Sequence, residues 1–169
     1  MIYKKNITRI ICGLESKYNQ SMASADPDGP ILYSKLAVLE CCGWIEESMD
    51  LIAVRPLKGK LKTTTFEDMK RGAVEQNHGF AYKQNFRPMF QKCVGLFVTE
   101  CLERKLASNG DLTTLEDTLA SLKKERDKAA HTWTNGPLSY PAPSVTLTYV
   151  DRVFPILRKM YSFSANVKI

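Results

Sequence analysis

Apolar residues recur along this chain at alternating three- and four-residue steps, the signature of helices that bury one face. Ile7, Ile10, Leu14 and Tyr18 form the first such stripe, which the small polar stretch Ser21–Asp28 ends. A second helix is predicted from Pro30, a residue suited to a first helical turn, with Val38, Cys42, Ile45, Met49 and Ile52 as its core stripe. It stops at Arg55-Pro56. A shorter helix follows, capped by Thr64 or Thr65, with Phe66, Met69 and Ala73 facing in. A long helix is predicted from about Phe86 to Ala107, with Phe86, Phe90, Cys93, Phe97 and Cys101 in register. The Val94–Val98 run is apolar on all sides and is predicted to be central.

Leu112, Leu115, Leu119, Leu122, Arg126 and Ala129 mark the next helix, which Asn135-Gly136-Pro137 stops. Ser144 caps the last one, whose stripe is Leu147, Val150, Phe154, Leu157 and Tyr161; Pro155 is predicted to kink it. The fold class is therefore all-α: an up-and-down bundle of four long helices with an additional short helix, built as one domain over residues 1–169. No repeat, Gly-rich phosphate loop or strand-period segment interrupts this pattern.

Composition narrows the setting. The chain has 169 residues, 44% hydrophobic and 25% charged, enough for one domain with a real core. Its formal net charge of +6 permits attraction to polyanions. The five cysteines contain no Cys-x-x-Cys, and four lie in apolar runs, which reads as reduced, buried thiols. With two histidines and no ligand spacing, no metal is expected, and no cofactor. Charged residues interrupt the N-terminal apolar run, and no stretch reaches the roughly 20 apolar residues of a membrane span, so the expected location is cytoplasmic, with no membrane partner.

The chemistry concentrates in Arg126-Asp127-Lys128-Ala129-Ala130-His131. Five residues along a helix turn through roughly 500°, so Arg126 and His131 point about 140° apart and are separated by about 7.5 Å along the axis. Arg126 falls in the leucine seam, an expensive place for a guanidinium without a partner. Asp127 is four residues before His131 and shares its face, so it is expected to orient the imidazole. Histidine moves protons near neutrality, and a guanidinium binds a pentavalent phosphorane through two parallel hydrogen bonds. Two such helices across a two-fold axis would place two of each group around one cleft. Taken alone, the spacing also reads as a charged helix end.

An all-α chain of this size whose penultimate long helix ends in Arg-Asp-x-x-Ala-His resembles the HEPN superfamily. Its motif is an arginine followed by a polar residue and, four to six residues on, a histidine. Tyr33–Glu47 and the Pro141–Ser144 segment followed by Phe154-Pro155-Ile156-Leu157 resemble the MAE-like and RiboL-PSP members. The resemblance implies a homodimeric, metal-independent endoribonuclease, often the toxin of a toxin–antitoxin pair or a part of phage defence. By that likeness Arg126 and His131 are catalytic and Asp127 supports them. One of Glu46 and Glu47 supplies a further polar group. Lys58, Lys60, Lys62, Lys128 and Trp133 are the expected RNA contacts. A cognate antitoxin protein is an expected partner. Trp133 stands where adenylylated members carry tyrosine, which argues against a nucleotidyltransferase antitoxin. The alternative is a non-catalytic HEPN module that binds nucleotide or a protein partner.

Overall fold

The periodic stripes become helices in the computed structural model, which describes residues 2–131 and 139–167. In chain order they are α1 (Lys4–Ala23), α2 (Gly29–Val54), α3 (Thr64–Glu75), α4 (Arg87–Val94), α5 (Leu96–Ala107), α6 (Asp111–His131) and α7 (Pro143–Ala165). A 3₁₀ turn at Arg55–Leu57 closes α2, and a π-helical turn at Tyr82–Phe86 leads into α4. Among the described residues there is no strand. No described helix is long and apolar enough to cross a membrane.

The α1–α2 corner is tight because Gly29 has no side chain: a Cβ there would collide with Ser21 and Asp26. Pro30 then opens α2, as its fixed φ favours. α2 and α7 pack on each other, and each also packs on α1 and on α6. The predicted stripes fill the space between them. Val38, Cys42, Ile45, Met49 and Ile52 of α2 meet Leu115, Leu119 and Leu122 of α6 and Val150, Val153 and Leu157 of α7 in one buried cluster. Each fully buried side chain of this size contributes about 1.5–3 kcal/mol relative to exposure. α7 runs unbroken past Pro155, with Val153, Ile156 and Leu157 buried on either side of it. Packing along that face holds the helix through one missing hydrogen bond.

Two expectations about the helices fail. The single helix over 86–107 is broken at Gly95, whose φ of +85° is open to glycine alone without strain. Thr99 Oγ1 donates to the Gly95 carbonyl at 2.8 Å, so α5 starts afresh there in a new register. α5 buries Thr99, Leu102 and Leu106. Leu96 and Phe97, predicted to be central, stand 74% and 75% exposed. The second failure is α3. It is amphipathic, yet none of its residues is buried, and Phe66 and Met69 are 57% and 63% exposed. Its apolar face lines an open groove of about 790 Å³ with Leu57, Leu61 and Cys93. The thiols also divide: Cys41 and Cys42 are buried, Cys93 and Cys101 half-buried, and Cys12 is exposed rather than in the core.

Candidate active site

Arg126, Asp127 and His131 all lie on the last turns of α6. The seam position of Arg126 comes from the Leu115–Leu119–Leu122 stripe, which continues through it to buried Ala129. Its side chain is 35% exposed, so the guanidinium is neither core nor free surface. Asp127 Oδ1 accepts from Arg126 Nη1 at 3.1 Å, and Asp127 Oδ2 accepts from Lys123 Nζ at 2.7 Å.

This corrects the expected geometry. Asp127 does not hold His131; Lys123, one turn before it on the same face, and the adjacent Arg126 occupy both carboxylate oxygens. The Lys123 hydrogen bond, supported by the one from Arg126, holds the Asp127 carboxyl below the usual carboxylate range. His131 is exposed at the end of α6, with no hydrogen bond or ion pair among the described residues.

On the facing helix, burial pushes the Cys42 thiol up to about 12; Arg126 pulls it back, while Glu46 and Asp127 add to the rise. α2 packs on α6, and the charges of Arg126, Glu46 and Asp127 all reach Cys42. Of the two expected glutamates, Glu46 is the one brought here. It is half-buried, and its Oε1 accepts the Gly79 N–H at 2.6 Å. Glu47 is exposed and faces a separate groove between α1 and α2. Farther along the Glu46 face, Asp50 has its carboxyl pushed up to about 6, by burial and then by Glu46 and Glu47. Its Oδ1 is buried without a hydrogen-bond partner among the described residues.

Beside Asp127, a groove of about 560 Å³ runs between the Ala81–Gln84 segment and α6, lined by Lys83, Lys123 and Lys124 and by Glu116, Asp117 and Asp127. Lys83 is paired with Glu116 at 2.9 Å, whereas exposed Lys124 has no ion pair among the described residues. Lys128 belongs to the same end of α6: its Nζ donates to the Ser139 carbonyl and stands 4.8 Å from the Tyr140 ring centroid. Lys35 of α2 lies 5.8 Å from the same ring. Tyr140, which ties α6 and α2 to the approach of α7, escaped the sequence reading; its one signal there is an aromatic directly before Pro141-Ala142-Pro143.

Lys58, Lys60 and Lys62 are exposed but are not part of this cluster. They follow the C-terminal end of α2, whose last residue lies about 18 Å along the axis from Cys42. Lys60 Nζ reaches the Val167 carbonyl at 3.4 Å instead. Trp133 and the predicted stop Asn135-Gly136-Pro137 lie outside the described residues. Among the described residues, no group of three His, Cys, Asp or Glu is arranged to hold a metal ion.

The site therefore offers a positioned guanidinium and a solvent-facing imidazole on one helix end, beside a groove of mixed charge along α6. Comparison with protein-family models, curated proteins and solved structures gives no match for the chain.

Proposed function

We propose that the chain is a single HEPN-like domain, an up-and-down bundle that dimerises on a two-fold axis and cleaves RNA without a metal, as a toxin or a phage-defence effector. The observation that carries this reading is the pair at the end of α6: Arg126, half-buried and tethered by Asp127, and His131, exposed in the same helix's last turn. A guanidinium held this way loses little freedom on meeting a phosphate, while an exposed imidazole is open to a proton donor or acceptor on another molecule. The divergent directions of the two side chains suit a site shared between two copies better than one within a chain.

In that site a histidine removes the proton of the RNA 2′-hydroxyl, and the oxygen attacks the adjacent phosphorus. Arg126 stabilises the charge that develops on the phosphorane oxygens. The 5′-oxygen leaves with a proton from a second acid, the partner copy's histidine, giving a 2′,3′-cyclic phosphate and a free 5′-hydroxyl. Purified protein is expected to cut RNA in EDTA, and His131→Ala to abolish cutting with the fold intact. Cutting that survives His131→Ala, or that needs Mg²⁺, overturns the mechanism.

The second reading, a non-catalytic module that docks a protein, draws on a different observation. Phe66 and Met69 on α3, and Leu96 and Phe97 after α4, present large apolar side chains to solvent. Tight partner or nucleotide binding with no RNA cleavage would favour it. In the first reading the same side chains are available to an antitoxin.

A further inference from the structure

At the opposite end of the molecule from His131, α1, the end of α2 and the C-terminal half of α7 enclose a basin of about 570 Å³. The Lys159–Asp111 ion pair, 2.6 Å, fixes this stretch of α7 beside the start of α6, about 30 Å along that helix from His131. Four cations line the basin: Lys4 and Lys5 from the first turn of α1, Arg55 from the turn after α2, and Arg158 from α7. No carboxylate is among its described lining residues. Asp151 pairs with Lys4 from outside; Lys5 and Arg158 have no ion pair among the described residues.

Three further features give this cluster the chemistry of a receptor rather than a solvated charge run. The first turn of α1 carries no acidic residue and no side-chain cap, so its free N–H groups add the positive end of a 20-residue helix to two lysines. Lysines at that position repel the helix dipole, which a bound anion would offset. Arg55 is half-buried, with its guanidinium 4.0 Å from the Tyr161 ring centroid and Nη1 donating to the Tyr161 hydroxyl. Its Nε is shielded from solvent, with no hydrogen-bond partner among the described residues. Finally, Arg158 lies over Phe154 at 5.8 Å, so an aromatic surface holds the cation at the rim.

We propose that this basin binds phosphate oxygens, with the half-buried Arg55 as the anchor, the α1 N-terminus as the backbone contribution, and Lys5 and Arg158 as the rim. Exposed Tyr3 lines the same basin and offers a ring on which a base stacks, so the ligand class is a nucleotide, either free or as one unit of a nucleic-acid strand. The inference is independent of whether Arg126 and His131 cleave RNA.

Two probes separate the sources: ADP, titrated by calorimetry, and a labelled single-stranded oligodeoxynucleotide, which lacks the 2′-hydroxyl, followed by anisotropy. The exposed rim residues are substituted as Arg158→Glu and Lys5→Glu, with Lys17→Glu, far along α1, as the control for net charge. A titration by ADP that weakens about tenfold or more in both rim variants, with Lys17→Glu near wild type, identifies a free nucleotide. The same pattern with the oligonucleotide and no response to ADP identifies a strand; its salt dependence then drops by about one ion per lost contact. Absence of binding by both probes overturns the proposal, as does equal weakening in Lys17→Glu or rim variants that bind as wild type.

Discussion

Replacing Asp50 by asparagine is expected to stabilise the protein at neutral pH and to lose that advantage in acid. Asp50 Oδ1 is buried without a hydrogen-bond partner among the described residues, and Glu46 and Glu47 lie on the same helix. Burial and those two charges lift its carboxyl from 3.8 to about 6. Above the folded value the group is ionised in both the folded and unfolded chain, and the folded state carries the whole penalty. Below the unfolded value it is protonated in both, and the penalty vanishes. The wild type therefore loses stability from this group as pH rises between 3.8 and about 6. The full shift corresponds to about 3 kcal/mol. Asp50 is only half-buried, and solvent screening reduces this to about 1–1.5 kcal/mol. For a chain of this size that is about 3–5 °C in Tm. Asparagine keeps the shape and removes the charge. Urea denaturation of both proteins, followed by far-UV circular dichroism at neutral pH and again near pH 4, measures the difference directly. A stability gap that does not change with pH, or an asparagine variant weaker than wild type at neutral pH, would refute this account of the α2 face.

Other outcomes follow from single features of the fold. Phe90→Ala should cost about 3–5 kcal/mol, because Phe90 is fully buried, whereas Phe97→Ala, seven residues on and 75% exposed, should stay within about 0.5 kcal/mol in thermal melts. Asp127→Asn should change stability by less than about 1 kcal/mol, since its ion pairs are solvent-facing, yet lower RNA cleavage by freeing Arg126; unchanged kcat/KM would remove Asp127 from the site. In native protein, a thiol reagent should modify Cys12 first and leave Cys41 and Cys42 untouched until denaturant is added, as peptide mass mapping would reveal.

Much of the scaffold was legible because burial enforces the helical period. The stripes through Ile45 of α2, Leu119 of α6 and Val150 of α7 each pack on more than one neighbour, so every step of the pattern is selected. Where a helix touches little, the same pattern misleads. Phe66 and Met69 share a face of α3, but periodicity reports only that a face is apolar, not that anything covers it. The Val94–Val98 run failed through one backbone angle: Gly95 turns the chain, and the apolar residues after it leave the core. At the site, spacing located Arg126, Asp127 and His131 on one helix end. It could not rank the competing partners of Asp127, because Lys123 lies as far before it as His131 lies after, and a permanent cation wins. Cys42 joined the site, and Glu46 was told apart from Glu47, only through the packing of α2 on α6, a contact about eighty residues long in sequence.

The Glu46–Gly79 hydrogen bond has a consequence for how the molecule opens. Between buried Pro56 and buried Phe80 the chain contributes no fully buried side chain, and partly buried Val74 packs on the core cluster from there, so the α3 excursion can detach while uncovering little of the core. Its backbone amides should exchange with deuterium long before those of α2 and α7, and proteases should cut there first. Glu46 is the clasp at the far end of that excursion, while the same carboxylate contributes to the field around Cys42 opposite Arg126. Loosening α3 and altering the charge environment of the α6 motif are thus two readouts of a single side chain.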